Sequence, residues 1–114
     1  MHELSIALSM VDIATEALEK NGGGKVTAIY LKLGALAGVV KDALLFSWDA
    51  ACADTSLEGS RLVIEDVPVV VSCSSCEEER ELDSINSFIC PVCHEPAPSV
   101  VRGRELLVAA LEIE

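Results

Sequence analysis

The chain has 114 residues, 51% of them hydrophobic but only 4% aromatic, and a formal net charge of −11. That length fits one ordinary domain or two very small ones around an aliphatic core. Eight basic residues against 19 acidic ones, with no basic run, argue against binding nucleic acid, and no apolar run approaches the ~18 residues of a membrane span.

No basic region followed by an apolar stretch opens the chain, so no signal peptide is expected. A cytoplasmic location follows, in which thiols stay reduced and favour metal over disulfides. The acidic surface suits a cation carrier or a basic protein partner, and equally an ordinary soluble protein.

The first predicted element is a helix from about residue 4. Leu4, Leu8, Val11, Ala14 and Leu18 recur at helical spacing, with Ile6, Met10, Ile13 and Ala17 as a second stripe beside them. Asn21-Gly22-Gly23-Gly24 stops it, glycine supplying the left-handed turn of a helix end. Residues 25–33 alternate as a strand, with Ile29, Leu31 and Leu33 on one face and Ala28, Tyr30 and Lys32 on the other. A small-residue loop leads to a second helix over 42–53, with Leu44, Leu45, Trp48, Ala51 and Cys52 on its apolar face and Asp42 in its first turn. Cys52 reads as a buried core thiol.

A second strand covers 61–67 and Pro68 punctuates it. Residues 77–81 read as a charged, solvated loop, and Pro96-Ala97-Pro98 as a stiff exit. A third strand covers 105–113, with Leu107, Ala109, Leu111 and Ile113 on its core face.

Between the second and third strands lies the strongest motif. Cys73-Ser-Ser-Cys76 is followed by thirteen residues and then Cys90-Pro-Val-Cys93. Each Cys-x2-Cys turn offers two thiolates, and the loop lets the pairs face each other across one tetrahedral Zn(II). The alternative is a pair of disulfides or a redox motif. Four zinc-bound thiolates remove four units of charge and the ion returns two, so loading makes the chain more negative still. The third strand is too apolar to stand alone, so it needs the first two as partners. The expected fold is therefore α+β: two helices on a small three-stranded sheet, made of residues 1–68 and 100–114, with an inserted zinc-ribbon module over 69–99. Metal-binding free energy then replaces most of the core that so short a module lacks.

The other chemical feature is Met1-His2-Glu3. The Met1 amine, the deprotonated His2 amide and the His2 imidazole can close adjoining chelate rings, with the Glu3 amide or carboxylate as fourth donor. Nitrogen donors in a plane suit Ni(II) or Cu(II) and suit zinc poorly. The alternative is a solvated terminus.

Met1-His2-Glu3-Leu4-Ser5, the Leu33-Gly34-Ala35-Leu36 and Leu57-Glu58-Gly59 turns, Ile64-Glu65-Asp66-Val67-Pro68, the paired knuckles and Gly103-Arg104-Glu105-Leu106 together resemble the HypA family of hydrogenase nickel incorporation proteins. The resemblance spans essentially the whole chain. It implies a non-enzymatic metallochaperone that binds nickel through His2, with Met1 and Glu3 in support, and holds structural zinc through Cys73, Cys76, Cys90 and Cys93. It further implies a HypB-type GTPase and the [NiFe]-hydrogenase large-subunit precursor as partners, with urease maturation as a second destination. The rival reading is a zinc-ribbon adaptor that only binds another protein. Glu77 and His94 stand after the knuckles where the family often has Gly, and Lys41 stands before Asp42 where it often has Pro. His94 reads either as an exposed neighbour of a ligand or as an accessory nickel ligand.

Overall fold

The structure, a computed structural model, describes residues 2–114. Eight elements follow in order: α1 (Glu3–Lys20), β1 (Val26–Gly34), α2 (Lys41–Cys52), β2 (Arg61–Val67), β3 (Val70–Cys73), β4 (Glu78–Glu81), β5 (Ser99–Arg102) and β6 (Leu106–Ile113). The strands form two three-stranded sheets, ordered β2-β1-β6 and β4-β3-β5. This is the expected α+β class. The chain divides into two compact units. The first comprises Met1–Leu31, Gly38–Glu65 and Leu107–Glu114; the second comprises Lys32–Ala37 and Asp66–Leu106.

In the first unit α1 packs against α2. The buried residues of α1 are Ala7, Met10, Val11, Ala14 and Leu18. Their spacing traces one stripe, narrower than the two expected. Leu4, Leu8 and Ile13 are exposed, because a helix packed on one side buries one face only. In α2 the buried set is Leu44, Trp48, Ala51 and Cys52, while Leu45 points partly to solvent. The Trp48 indole N–H donates to the Ser60 carbonyl at 3.1 Å, satisfying the ring's one polar atom inside the core. Helix α1 ends at Asn21, and the Gly23 N–H donates to the Leu18 carbonyl at 2.9 Å across Gly22 at φ +93°. That is the glycine stop read from the sequence.

In β1 Ala28 is buried as well as Ile29, Leu31 and Leu33, so both faces of the strand carry buried residues, and as the middle strand it is paired along both edges. Strand β6 lies at the edge of that sheet, and Leu107 is 54% exposed rather than on a core face.

The second unit holds a sheet of three strands, β3, β4 and β5, that the sequence reading did not anticipate. Residues 78–81 are not a loop: β4 pairs antiparallel with β3, placing Cys73 opposite Glu78 and Val71 opposite Arg80. Beyond the second knuckle, β5 pairs with the other side of β3. Proline-rich 96–98 is an anchor, since Pro96 bridges Ile89 and the Ala97 N–H donates to the Phe88 carbonyl at 2.8 Å. Val69, Val71, Cys73, Leu82, Cys90 and Ala97 form the core here.

A tight crossing ties 33–36 to 103–105 within this unit. The Gly34 N–H donates to the Glu105 carbonyl and the Leu36 N–H to the Gly103 carbonyl, both at 2.7 Å. The Glu105 carboxylate turns back to accept the Gly103 N–H at 2.7 Å. A Cβ on Gly34 would sit 2.2 Å from the Gly103 carbonyl oxygen, so the two backbones meet only because that residue is glycine. Gly34→Ala is expected to lower unfolding free energy by about 1–3 kcal/mol in urea titrations. An unchanged midpoint would show that the crossing can open at no cost.

Candidate metal centre

Four thiols converge in the second unit. The Sγ atoms of Cys73, Cys76, Cys90 and Cys93 all lie within 4.8 Å of one another. Cys73 and Cys93 are 3.5 Å apart, and Cys76 and Cys90 3.9 Å. A tetrahedron of sulfurs at the usual Zn–S distance has edges of about 3.8 Å. The spacing and the all-thiol donor set therefore fit structural zinc, and all five cysteines of the chain are free.

Each knuckle is built the same way. The first cysteine's sulfur accepts a backbone N–H from the second: Cys76 to Cys73 at 3.4 Å, and Cys93 to Cys90 at 3.5 Å. The next residue then enters the left-handed region, Glu77 at φ 58° and His94 at φ 63°. That turn sends the chain out of the knuckle, and glycine would make it without a Cβ penalty. His94 is exposed, and its N–H donates to the Cys90 carbonyl at 2.9 Å.

The four thiols share one site unequally. The Cys93 N–H, with that of Val92, stabilises the Cys90 thiolate and lowers its pKa to about 6. At Cys93 the N–H of Glu95 acts in the same sense, but burial and the three neighbouring thiols outweigh it and push the thiol up to about 12. A divalent cation resolves this conflict, since it stabilises all four thiolates together. Arg80, from the segment read as solvated, is turned to the face of Cys73 by its pairing opposite Val71, and its Nε is buried. Its place on an inward-facing strand left no mark in the local sequence.

Cys52 stands apart from the cluster. It is buried in the first unit with its sulfur 3.9 Å from the Ser60 hydroxyl, and burial raises its pKa.

At the other candidate site, Met1 lies outside the described residues. His2 is the N-cap of α1 with extended backbone (φ −86°, ψ 106°), and its side chain makes no capping hydrogen bond. The His2 carbonyl accepts the Ile6 N–H at 3.2 Å, the first intrahelical bond. The Glu3 carboxylate accepts the Val40 N–H at 3.0 Å, at the N-cap of α2. That bond holds its pKa below the ordinary 4.5.

Comparison with known proteins places this geometry in context. The family model described as "Hydrogenase/urease nickel incorporation, metallochaperone, hypA" matches residues 1–113. The hydrogenase maturation factor HypA of Roseiflexus sp. (strain RS-1) is 51% identical over 114 residues, covering 100% of this chain and 93% of that protein. Its counterpart from Chloroflexus aurantiacus (strain ATCC 29366 / DSM 635 / J-10-fl) is 49% identical over 112 residues, covering 98% of each. The fold matches the solution structure of a HypA protein with a TM-score of 0.72 at 21% identity, covering 100% and 97%. It also matches the Ni metallochaperone HypA from Helicobacter pylori, with a TM-score of 0.67 at 22% identity, covering 99% and 97%.

Two outcomes are expected. Chelation at neutral pH removes one zinc per chain and with it the dispersed amide spectrum of 66–106. Protons compete for the thiolates, so zinc affinity falls as pH falls. A dispersed spectrum that survives chelation would show that the aliphatic core suffices. Separately, the lowered Glu3 pKa means its contribution to stability is present above pH 4.5 and is lost as pH falls through the lower folded value. Glu3→Gln should remove that part of the acid dependence in pH-resolved thermal melts; superimposable acid limbs would show that the Val40 contact contributes nothing.

Proposed function

The chain belongs to the HypA family of hydrogenase/urease nickel-incorporation metallochaperones, and we propose that it carries one Ni(II) at its N-terminus and delivers it to the [NiFe]-hydrogenase large-subunit precursor. The observation that carries the nickel reading is the position of His2 as an N-cap whose side chain makes no capping bond. An N-cap and the first residues of a helix have N–H groups with no intrahelical acceptor. Deprotonating the His2 and Glu3 amides to bind a metal therefore breaks no helical hydrogen bond. The positive end of the helix dipole further favours the anionic nitrogens that result.

The donor set is the Met1 amine, the His2 amide, the His2 imidazole and a fourth donor from Glu3. The bond from Val40 to the Glu3 carboxylate supports the Glu3 amide as that donor. Four nitrogens in a plane suit Ni(II). Protonation of the imidazole or amine opens the chelate, which suits a carrier that must release its cargo. Cys73, Cys76, Cys90 and Cys93 hold the structural zinc that folds the 69–99 module; for His94, exposed in the second unit, substitution tells the accessory-ligand reading from the exposed-neighbour reading.

The protein acts in the cytoplasm without turnover of its own. Its partners are a HypB-type GTPase, the hydrogenase precursor and, where urease is served, urease accessory proteins. The family's description supports the hydrogenase and urease destinations.

Calorimetric nickel titration of untagged, zinc-loaded protein is expected to show one tight site. His2→Ala or an N-terminal extension should abolish that site with zinc retained. Normal binding by the extended protein would rule out the amine ligand, and no binding by the wild type would leave a zinc-stapled interaction module. His94→Ala should weaken nickel binding or alter its response between about pH 6 and 8; identical titrations would remove His94 from the site.

A further inference from the structure

Strand β4 carries the sequence Glu78-Glu79-Arg80-Glu81, and its one cation is turned inward. Residues directly opposite in an antiparallel ladder project to the same face. Arg80 lies opposite Val71, and Glu78 opposite Cys73. Val71 and Cys73 are both buried in the core that includes Cys90. Arg80 and Glu78 therefore share the cysteine face, whereas Glu79 is on the other face and pairs with Arg102 at 3.0 Å.

The Arg80 side chain is 22% exposed, and its Nη1 donates to the Glu78 carboxylate at 2.6 Å. The register sets the guanidinium on the same face of the sheet as the Cys73 thiol of the cluster. Its Nε is buried and has no hydrogen-bond partner among the described residues. An unmet N–H donor on a charged group is costly to bury, so its retention calls for an acceptor. Metal-bound thiolates are that acceptor. A zinc tetrathiolate carries a net charge of −2, in a chain already at −11 before loading, and its sulfurs accept N–H bonds better than thiols do.

We propose that Arg80 is a positioning residue of the four-cysteine centre, donating N–H···S hydrogen bonds to thiolates of the zinc-loaded site while Glu78 holds its guanidinium in place. The assignment rests on zinc occupying the four thiols. Arg80 then does two things. It sets a guanidinium, itself held by Glu78, against the tetrathiolate, and it draws electron density from the sulfurs it meets, making them poorer nucleophiles toward alkylating agents and stray metals. A ribbon in a metal-handling protein gains from both, because its structural ion must stay in place while the chain handles an exchangeable cargo.

The test compares full-length wild type with Arg80→Gln, Arg80→Lys and Glu78→Gln, each loaded with zinc or, for spectroscopy, cobalt. Three quantities are read: the rate of metal transfer to a chromophoric chelator, the rate of alkylation by iodoacetamide, and the position of the sulfur-to-cobalt charge-transfer band. In Arg80→Gln the metal is expected to leave roughly tenfold faster, the size typical of lost outer-sphere partners. Alkylation should accelerate and the band should move to lower energy. Arg80→Lys keeps the charge but lacks the Nε–H and the planar fork, so it should recover part of the retention but not the band position. Glu78→Gln should give a smaller change of the same sign. Wild-type transfer, alkylation and band position in Arg80→Gln would overturn the role of Arg80 and leave the zinc site standing. Wild-type protein that takes up neither zinc nor cobalt would overturn both.

Discussion

Convergence of four thiols on one site is the constraint on which the second unit depends. Its core amounts to Val69, Val71, Cys73, Leu82, Cys90 and Ala97, and two of those six residues are themselves thiols of the cluster. So small an apolar cluster offsets only part of the conformational entropy of ordering the 47 residues of this unit. The strands on either side are short, four residues each in β3, β4 and β5. What they share is that β3 ends at Cys73, so the ladder and the knuckle position each other. A metal that binds only the assembled thiolates converts its binding free energy into folding free energy.

The first unit solves a different problem. Its helices supply an ordinary aliphatic core, and that core leaves the start of α1 free for chemistry. The Glu3 carboxylate is taken by the N-cap of α2, where two helix ends gather unpaired N–H groups. His2, one residue earlier, is not drawn into capping. Adjacent residues thus divide the work: Glu3 ties the helix start to its neighbour, and His2 stays available. The helix start thus keeps backbone N–H groups without intrahelical acceptors beside an uncapped His2 side chain.

Glycine placement links backbone geometry to the sequence signature. Gly34 and Gly103 are conspicuous in the sequence only as parts of short turns. In the structure they allow two backbones to meet at hydrogen-bonding distance where any side chain would intrude. Glu77 and His94 show the converse. Both take left-handed backbone conformations without being glycine, each directly after a cysteine whose N–H donates to the first sulfur of its knuckle.

Much of this protein was legible in its sequence because the relevant signals are local. Two Cys-x2-Cys turns, a helix stopped by three glycines and alternating runs at 26–34 and 61–67 depend on residues a few positions apart. Their chemistry and period therefore survive in one dimension. The α+β class and the thiol set came from such signals, and the opening Met1-His2-Glu3 drew attention to itself for the same reason. Tertiary structure decided what depends on partners distant in the chain. It exposed Leu4, Leu8, Ile13, Leu45 and Leu107, because a helix or edge strand buries only the face that meets a neighbour. It made 78–81 a strand, because β3 offered an unpaired edge beside the knuckle, and strand propensity in a run of charges is too weak to announce that. With that pairing came the pleat, and the pleat alone turned Arg80 to the face that carries Cys73 while its acidic neighbours Glu79 and Glu81 faced away.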